Sequence, residues 1–166
     1  MRRMLPTAIV LASLGLSTSG HGEETIVNYK SLSTDAALEA AQAALNKCRG
    51  NGFQVAVAVS DRFGQVLVLL RDRFAGPPAP ATATDKAYTA VSFRSDTTAF
   101  AKAIKSGQLS EGLLKLPHVL AMGGGLVVES SGSLLGAIGV AGAPGGDKDE
   151  ECAKAGLDAI RDKLDF

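Results

Sequence analysis

Few side chains in this sequence can do chemistry, and most of them fall between residues 86 and 150. His118 is the only histidine outside the N-terminal segment; the other is His21. An imidazole can hold a metal and changes charge near neutral pH. Pro117 precedes His118, Met122 follows four residues on, and Gly123-Gly124-Gly125 offers bare backbone beside which a flat molecule can lie. Tyr88 supplies a phenol that can ligate or stack. Lys86 and Arg94, about two helical turns apart, can each hold a carboxylate, the arginine through a bidentate pair. Plainer readings stand beside these: a solvent-facing loop histidine, a core aromatic with a satisfied hydroxyl and a solvated helix face.

A second cluster is acidic. Asp147, Asp149, Glu150 and Glu151 follow Gly145-Gly146. Carboxylates in a helix's first turn complement its positive end. A hard-cation site built on Asp147 and Glu150 is the sharper alternative, and His118 is the further candidate metal ligand. The sequence offers no nucleophile with an assigned base and no carboxylates paired across a cleft, so it favours binding over catalysis. The spaced glycines Gly136, Gly139 and Gly142 lack the strand-to-helix setting of a phosphate-binding fingerprint. They suit close packing of a helix or a subunit.

These residues need a compartment and a scaffold. Arg2-Arg3, an apolar run from Leu5 to Leu16 and the small residues Ser17-Thr18-Ser19-Gly20 have the layout of a secretory signal peptide over 1–20. The run is shorter than the ~20 apolar residues of a membrane span. Residues 21–31 read as a flexible polar tail. The remaining 32–166 make one domain, large enough to bury a core without staples. Seventeen basic residues balance 17 acidic ones and there is no tryptophan, which argues against a nucleic-acid partner. Periplasmic or secreted residence, with no stable membrane insertion, is the expectation.

Helical spacing of Leu38, Ala41, Leu45 and Cys48 after the Ser33-Thr34-Asp35 cap predicts a helix ending at Gly50-Asn51-Gly52. QVAVAVS (54–60) and QVLVLLR (65–71) predict a hairpin about Asp61-Arg62-Phe63-Gly64. A loop over 72–80 leads to a helix from Thr82 or Thr84 to about Arg94, then a short helix over 98–106. Strands 126–129 and 134–140 form a second hairpin, and a helix over 147–164 closes the chain, with Ala153, Leu157, Ile160 and Leu164 as its apolar stripe. Two hairpins imply a mainly antiparallel sheet in an α+β fold. If the first and last helices share a sheet face and run antiparallel, Cys48 meets Cys152 as a disulfide; two buried free thiols are the alternative.

Three segments carry a family resemblance: Lys86-Ala87-Tyr88-Thr89-Ala90, the Gly123-Gly124-Gly125 run, and GAIGVAGAPGGDKDEECAKAGL from Gly136 to Leu157. In order and spacing they resemble the GlcG/HbpS-like haem-binding family, over essentially residues 32–164. The resemblance implies a profilin-like three-layer α/β/α sandwich, a homo-oligomer, and haem or a similar planar cofactor as the small-molecule ligand. On that basis His118, Tyr88, Lys86, Arg94 and Met122 become candidate haem contacts. An accessory enzyme of small hydroxy-acid or aldehyde metabolism, or a purely structural oligomer, are the alternatives the family leaves open. Members of the family carry a histidine in the loop before the KAYT segment; here that position, in Gly76-Pro77-Pro78-Ala79, is Pro78.

Overall fold

The computed structural model describes residues 25–164. The signal peptide expected over 1–20 and the start of the tail lie outside the described residues. Four strands, β1 (Ala56–Asp61), β2 (Val66–Arg71), β3 (Gly125–Ser130) and β4 (Ser133–Ala141), form one antiparallel sheet in the order β2-β1-β4-β3. Each hairpin carries a register shift, leaving Leu67 in β2 and Leu135 in β4 as extra residues.

The two faces of the sheet are covered differently. Helices α1 (Thr34–Gly50) and α4 (Gly146–Ile160) share one face. There Val55, Val57, Val59, Leu126, Val128, Ile138 and Val140 pack against Ala37, Ala41, Ala44 and Leu45. On the other face α2 (Ala79–Phe93) lies over Ala56, Ala58, Ala137 and Ala141. This layer is built from small residues and is therefore thin. A Cβ at Gly139 would run into the Ala83 carbonyl and reach 2.7 Å from the Ala87 nitrogen. Helix α3 (Thr97–Lys105) follows α2 and leads to a 3-10 turn, Glu111–Lys115. The chain is thus a three-layer α+β sandwich.

Local chemistry sets the boundaries. The Ser33 hydroxyl accepts from the Ala36 amide at 3.2 Å and caps α1. The Asp61 carboxylate accepts the amides of Phe63 (2.8 Å) and Gln65 (2.9 Å), closing the β1–β2 turn. Helix α2 starts at Ala79, earlier than Thr82 or Thr84. Pro78 and Pro80 fit a first turn, where a missing N–H costs nothing, and the Thr84 hydroxyl donates back to the Pro80 carbonyl (3.0 Å). Leu38 leaves the expected stripe and is exposed; the buried face of α1 runs through Ala37, Ala40, Ala41, Ala44, Leu45 and Cys48. Helix α4 stops at Ile160, and Arg161–Lys163 is a 3-10 turn. Cys48 and Cys152 form a disulfide tying α1 to α4, with Cα atoms 5.5 Å apart.

Candidate functional site

The three sequence segments that carry the family resemblance meet at one buried ion pair. Lys86 sits in the middle of α2 and is fully buried. Its Nζ donates to Asp149 Oδ2 at 2.7 Å and to the Val140 carbonyl at 2.8 Å. Asp149, on the first turns of α4, accepts the Ala143 amide at 2.9 Å through its other oxygen. Gly124, at φ 112°, closes over the pair: a Cβ there would stand 2.6 Å from Asp149 Cβ and 3.0 Å from Lys86 Nζ. The Gly125 amide donates to Thr97 Oγ1 at 2.9 Å. The junction therefore pins α2, the end of β4, the start of α4 and the glycine run together.

Burial acts on both charges in the same sense. It pushes the Lys86 ammonium below its ordinary value, although the hydrogen bond and the charge of Asp149 oppose the shift. It pushes the Asp149 carboxyl up, against the opposing pull of Lys86 and the Ala143 amide. The Lys86 hydrogen bonds to Asp149 and the Val140 carbonyl point inward, so this lysine does not lie on a solvated helix face. A cleft of about 290 Å³ lies above the pair, between Pro78, Met122 and the 142–146 loop. Met122 is exposed there and does not line the depression that holds His118.

His118 and Tyr88 come together on the outer flank of α2. Their rings meet edge-on, with centroids 5.8 Å apart. His118 Nδ1 is 3.0 Å from Asp85 Oδ1, and the side chain is 67% exposed. The His118 backbone is left-handed (φ 65°). The segment is anchored by Thr89, whose hydroxyl donates to the Asp85 carbonyl (2.7 Å), lies 3.2 Å from the His118 carbonyl and accepts the Leu120 amide (2.8 Å). With Nδ1 facing Asp85, Nε2 is the ring nitrogen turned away from that carboxylate, as where a carboxylate orients a metal-binding imidazole.

Two shallow depressions flank this ring pair. One, about 310 Å³, is lined by Leu69, Pro80, Ala81, Thr84, Asp85 and His118. The other, about 300 Å³, contains Tyr88 and Arg94, together with Arg62 and Phe63 from the β1–β2 turn. Tyr88 packs against that turn, where Gly64 leaves room for its ring: a Cβ there would reach 2.9 Å from Tyr88 Cδ2. Arg94 and Lys86 thus line different pockets.

The acidic start of α4 borders a further cavity, of about 590 Å³, between α3 and α4. Thr98 hydrogen-bonds Glu150 and Lys148 approaches Asp147 at 4.0 Å. Asp147 and Glu150 share this cavity but not with His118. Among the described residues, no three His, Cys, Asp or Glu side chains cluster as a metal site would require. Nor is any described helix long and apolar enough to cross a membrane.

Sequence reasoning did not pair Lys86 with Asp149, which are 63 positions apart. A signal existed. Lys86 falls on the α2 stripe with Ala79, Ala83, Ala87 and Ala90, and Asp149 on the α4 stripe with Cys152, Ala153, Gly156 and Ile160. A charge in phase with a buried stripe calls for a buried partner.

Residues 32–158 match the family described as haem degrading protein HbpS-like. A double mutant of HbpS from Streptomyces reticuli is 37% identical, with 93% of this chain and 99% of that chain covered and a TM-score of 0.78. Protein ORFY from Klebsiella pneumoniae is 26% identical over 84% of this chain and 97% of its own, with a TM-score of 0.79. PduOC, whose structure is a haem complex, is 26% identical over 78% of this chain and 95% of its own, at a TM-score of 0.73. No curated protein matches the chain.

Proposed function

The chain belongs to the HbpS-like family, and from that premise we propose that it binds haem, or a planar cofactor of the same class, as an exported protein. The observation that carries the reading is the His118 imidazole. It stands open to solvent on α2's flank, held at Nδ1 by Asp85 and bordered by the Tyr88 ring. The donor set fits haem iron: one imidazole with a carboxylate behind it, beside an exposed Leu69 on which a flat apolar ring can rest.

His118 would hold the iron, Tyr88 would stack against or lie beside the ring, and Arg94 would meet an acidic side group. Bound haem supplies a redox-active iron and a strongly absorbing ring. This chain's own residues orient the imidazole and screen one face. Lys86 and Met122 line a separate cleft, where Lys86 is paired with Asp149. The loop with Pro78 brings no histidine, so ligation rests on His118 alone.

Export is supported by the N-terminal layout and by the disulfide, which persists in oxidising compartments. Self-association is supported by the exposed apolar residues Val66, on the edge strand β2, and Phe74, just beyond its end. Light scattering after size exclusion gives the assembly directly. For haem, the test is the absorbance of the purified chain with haemin added stepwise. The proposal predicts a saturable Soret band at a fixed haem-to-chain ratio; a linear, unsaturable rise would reject it. Degradation, the activity in the family's description, would follow binding and is read as decay of the same band.

A further inference from the structure

The depression that holds Tyr88 also holds two cations without anions. Arg94 forms the left-handed C-cap of α2 (φ 48°) and is exposed. Arg62 reaches in from the β1–β2 turn. Among the described residues neither guanidinium has a carboxylate within ion-pair distance. Arg62 instead lies over two aromatic rings, 5.1 Å from the Tyr29 centroid and 5.7 Å from that of Phe63. A guanidinium stacked on a ring keeps its N–H edge free, and that edge matches a planar carboxylate.

The nearby acids are already engaged. Asp61 accepts two turn amides, and Asp85 faces His118 in the neighbouring depression. The negative end of α2 opposes an anion here, but it amounts to about half a charge against two full guanidinium charges.

The two depressions follow each other along α2, the first through Pro80, Ala81, Thr84 and Asp85, the second through Tyr88, Val91, Ser92 and Arg94. From Thr84 to Ser92 the helix rises about 12 Å, a distance comparable to the width of a tetrapyrrole. One end carries the imidazole and a carboxylate, the other two cations, with the Tyr88 ring between.

We infer that Arg62 and Arg94 form a carboxylate clamp that makes this flank selective for flat ligands bearing acidic side groups. The inference rests on the haem reading for the ligand class, but it concerns different residues and a different part of the ligand. Arg62 is the new member; it acts by seating the acidic edge and touches no iron. A ligand with its acids esterified loses the clamp and keeps the imidazole.

The test compares the full chain with an Arg62→Gln/Arg94→Asn double variant, asparagine being chosen because it tolerates a positive φ. Three probes are titrated in one detergent-containing buffer: haemin, iron-free protoporphyrin IX followed by its own fluorescence, and haemin dimethyl ester. Circular dichroism melts establish that the variant is folded. The clamp predicts that both free acids bind the variant about tenfold or more weakly than wild type, and that the ester binds both proteins equally and weakly. If the variant binds the free acids as tightly as wild type, or the ester binds wild type as tightly as haemin, the clamp is overturned while haem binding stands. If no porphyrin binds wild type, both fall together.

Discussion

The Lys86–Asp149 junction and the His118–Tyr88 flank lie on opposite sides of α2 and are built on opposite principles. The junction is closed. Both of its charges are buried, both carboxylate oxygens are bonded, and a glycine at positive φ seals it. The flank is open: its histidine is mostly exposed, and among the described residues its arginines have no carboxylate within ion-pair distance. The sequence segments by which the family is recognised converge on the closed region, whereas the groups able to hold a ligand lie on the open one. Family identity here is therefore largely a statement about how one helix is locked to a sheet. The proposed ligand groups lie outside most of that lock, with Tyr88 the member of the KAYT segment that reaches the flank.

This contrast can be broken or sharpened, first at the junction. Removing one partner, by Lys86→Ala or Asp149→Ala, strands a buried charge and should cost about 3–5 kcal/mol. The double replacement Lys86→Met/Asp149→Leu should recover most of that loss. Urea unfolding midpoints measure both; equal losses in the single and double variants would show that the pairing is not what matters.

The disulfide belongs to the face opposite α2. Cys48→Ala/Cys152→Ala opens a link spanning 104 positions and should lower stability by about 2–5 kcal/mol, leaving porphyrin binding by the folded fraction unchanged. Gly124→Ala tests the seal. It places a methyl against Asp149 and asks a left-handed backbone of alanine, and it should cost about 1–3 kcal/mol. A thermal melt unaltered by this change would contradict the close packing.

The pH dependence has a definite sign. Burial lowers Lys86 from 10.5, so between its folded value and 10.5 the unfolded chain holds more protons. In that window this group's contribution to stability rises with pH. Burial raises Asp149 from 3.8, so from 3.8 up to its folded value the native chain holds more protons, and its contribution falls as pH rises. Between the windows both groups are charged and both burial costs apply in full. The stability of Lys86→Met/Asp149→Leu relative to wild type should therefore be highest near neutrality and decline toward either extreme. A difference independent of pH would remove the electrostatic account.

The flank should be nearly indifferent to such tests. His118→Ala and Arg62→Gln alter exposed or half-buried groups and should move stability by no more than about 0.5 kcal/mol.

Much of the fold was legible in the sequence. Alternating valines and a tight turn gave the first hairpin, two apolar runs joined by Ser130-Ser131-Gly132 gave the second, and cap and stop residues gave α1. The antiparallel meeting of the first and last helices anticipated the Cys48–Cys152 pair. The start of α2 was misplaced because Pro78 and Pro80 read as loop residues, though proline is at ease in a helix's first turn. Leu38 was drawn into the core by its type, whereas α1 packs against α4 through alanines that allow closer approach. At the site, Tyr88, His118 and Arg94 were individually visible as candidates. Their grouping was not, because it depends on the β1–β2 turn folding back over α2 and bringing Arg62 with it. The burial of Lys86 was missed for a related reason. Its charge suggested solvent, while its phase among the alanines pointed inward.

The central claim is that the open flank, through His118, holds the iron of a bound haem. The most direct measurement is a haemin titration of wild type and His118→Ala, followed at the Soret band with the fold checked by circular dichroism. Wild type should saturate with a shifted, histidine-ligated spectrum, and His118→Ala should keep its fold but lose that spectrum. An identical saturable spectrum from the folded His118→Ala chain would place the iron elsewhere and contradict the account.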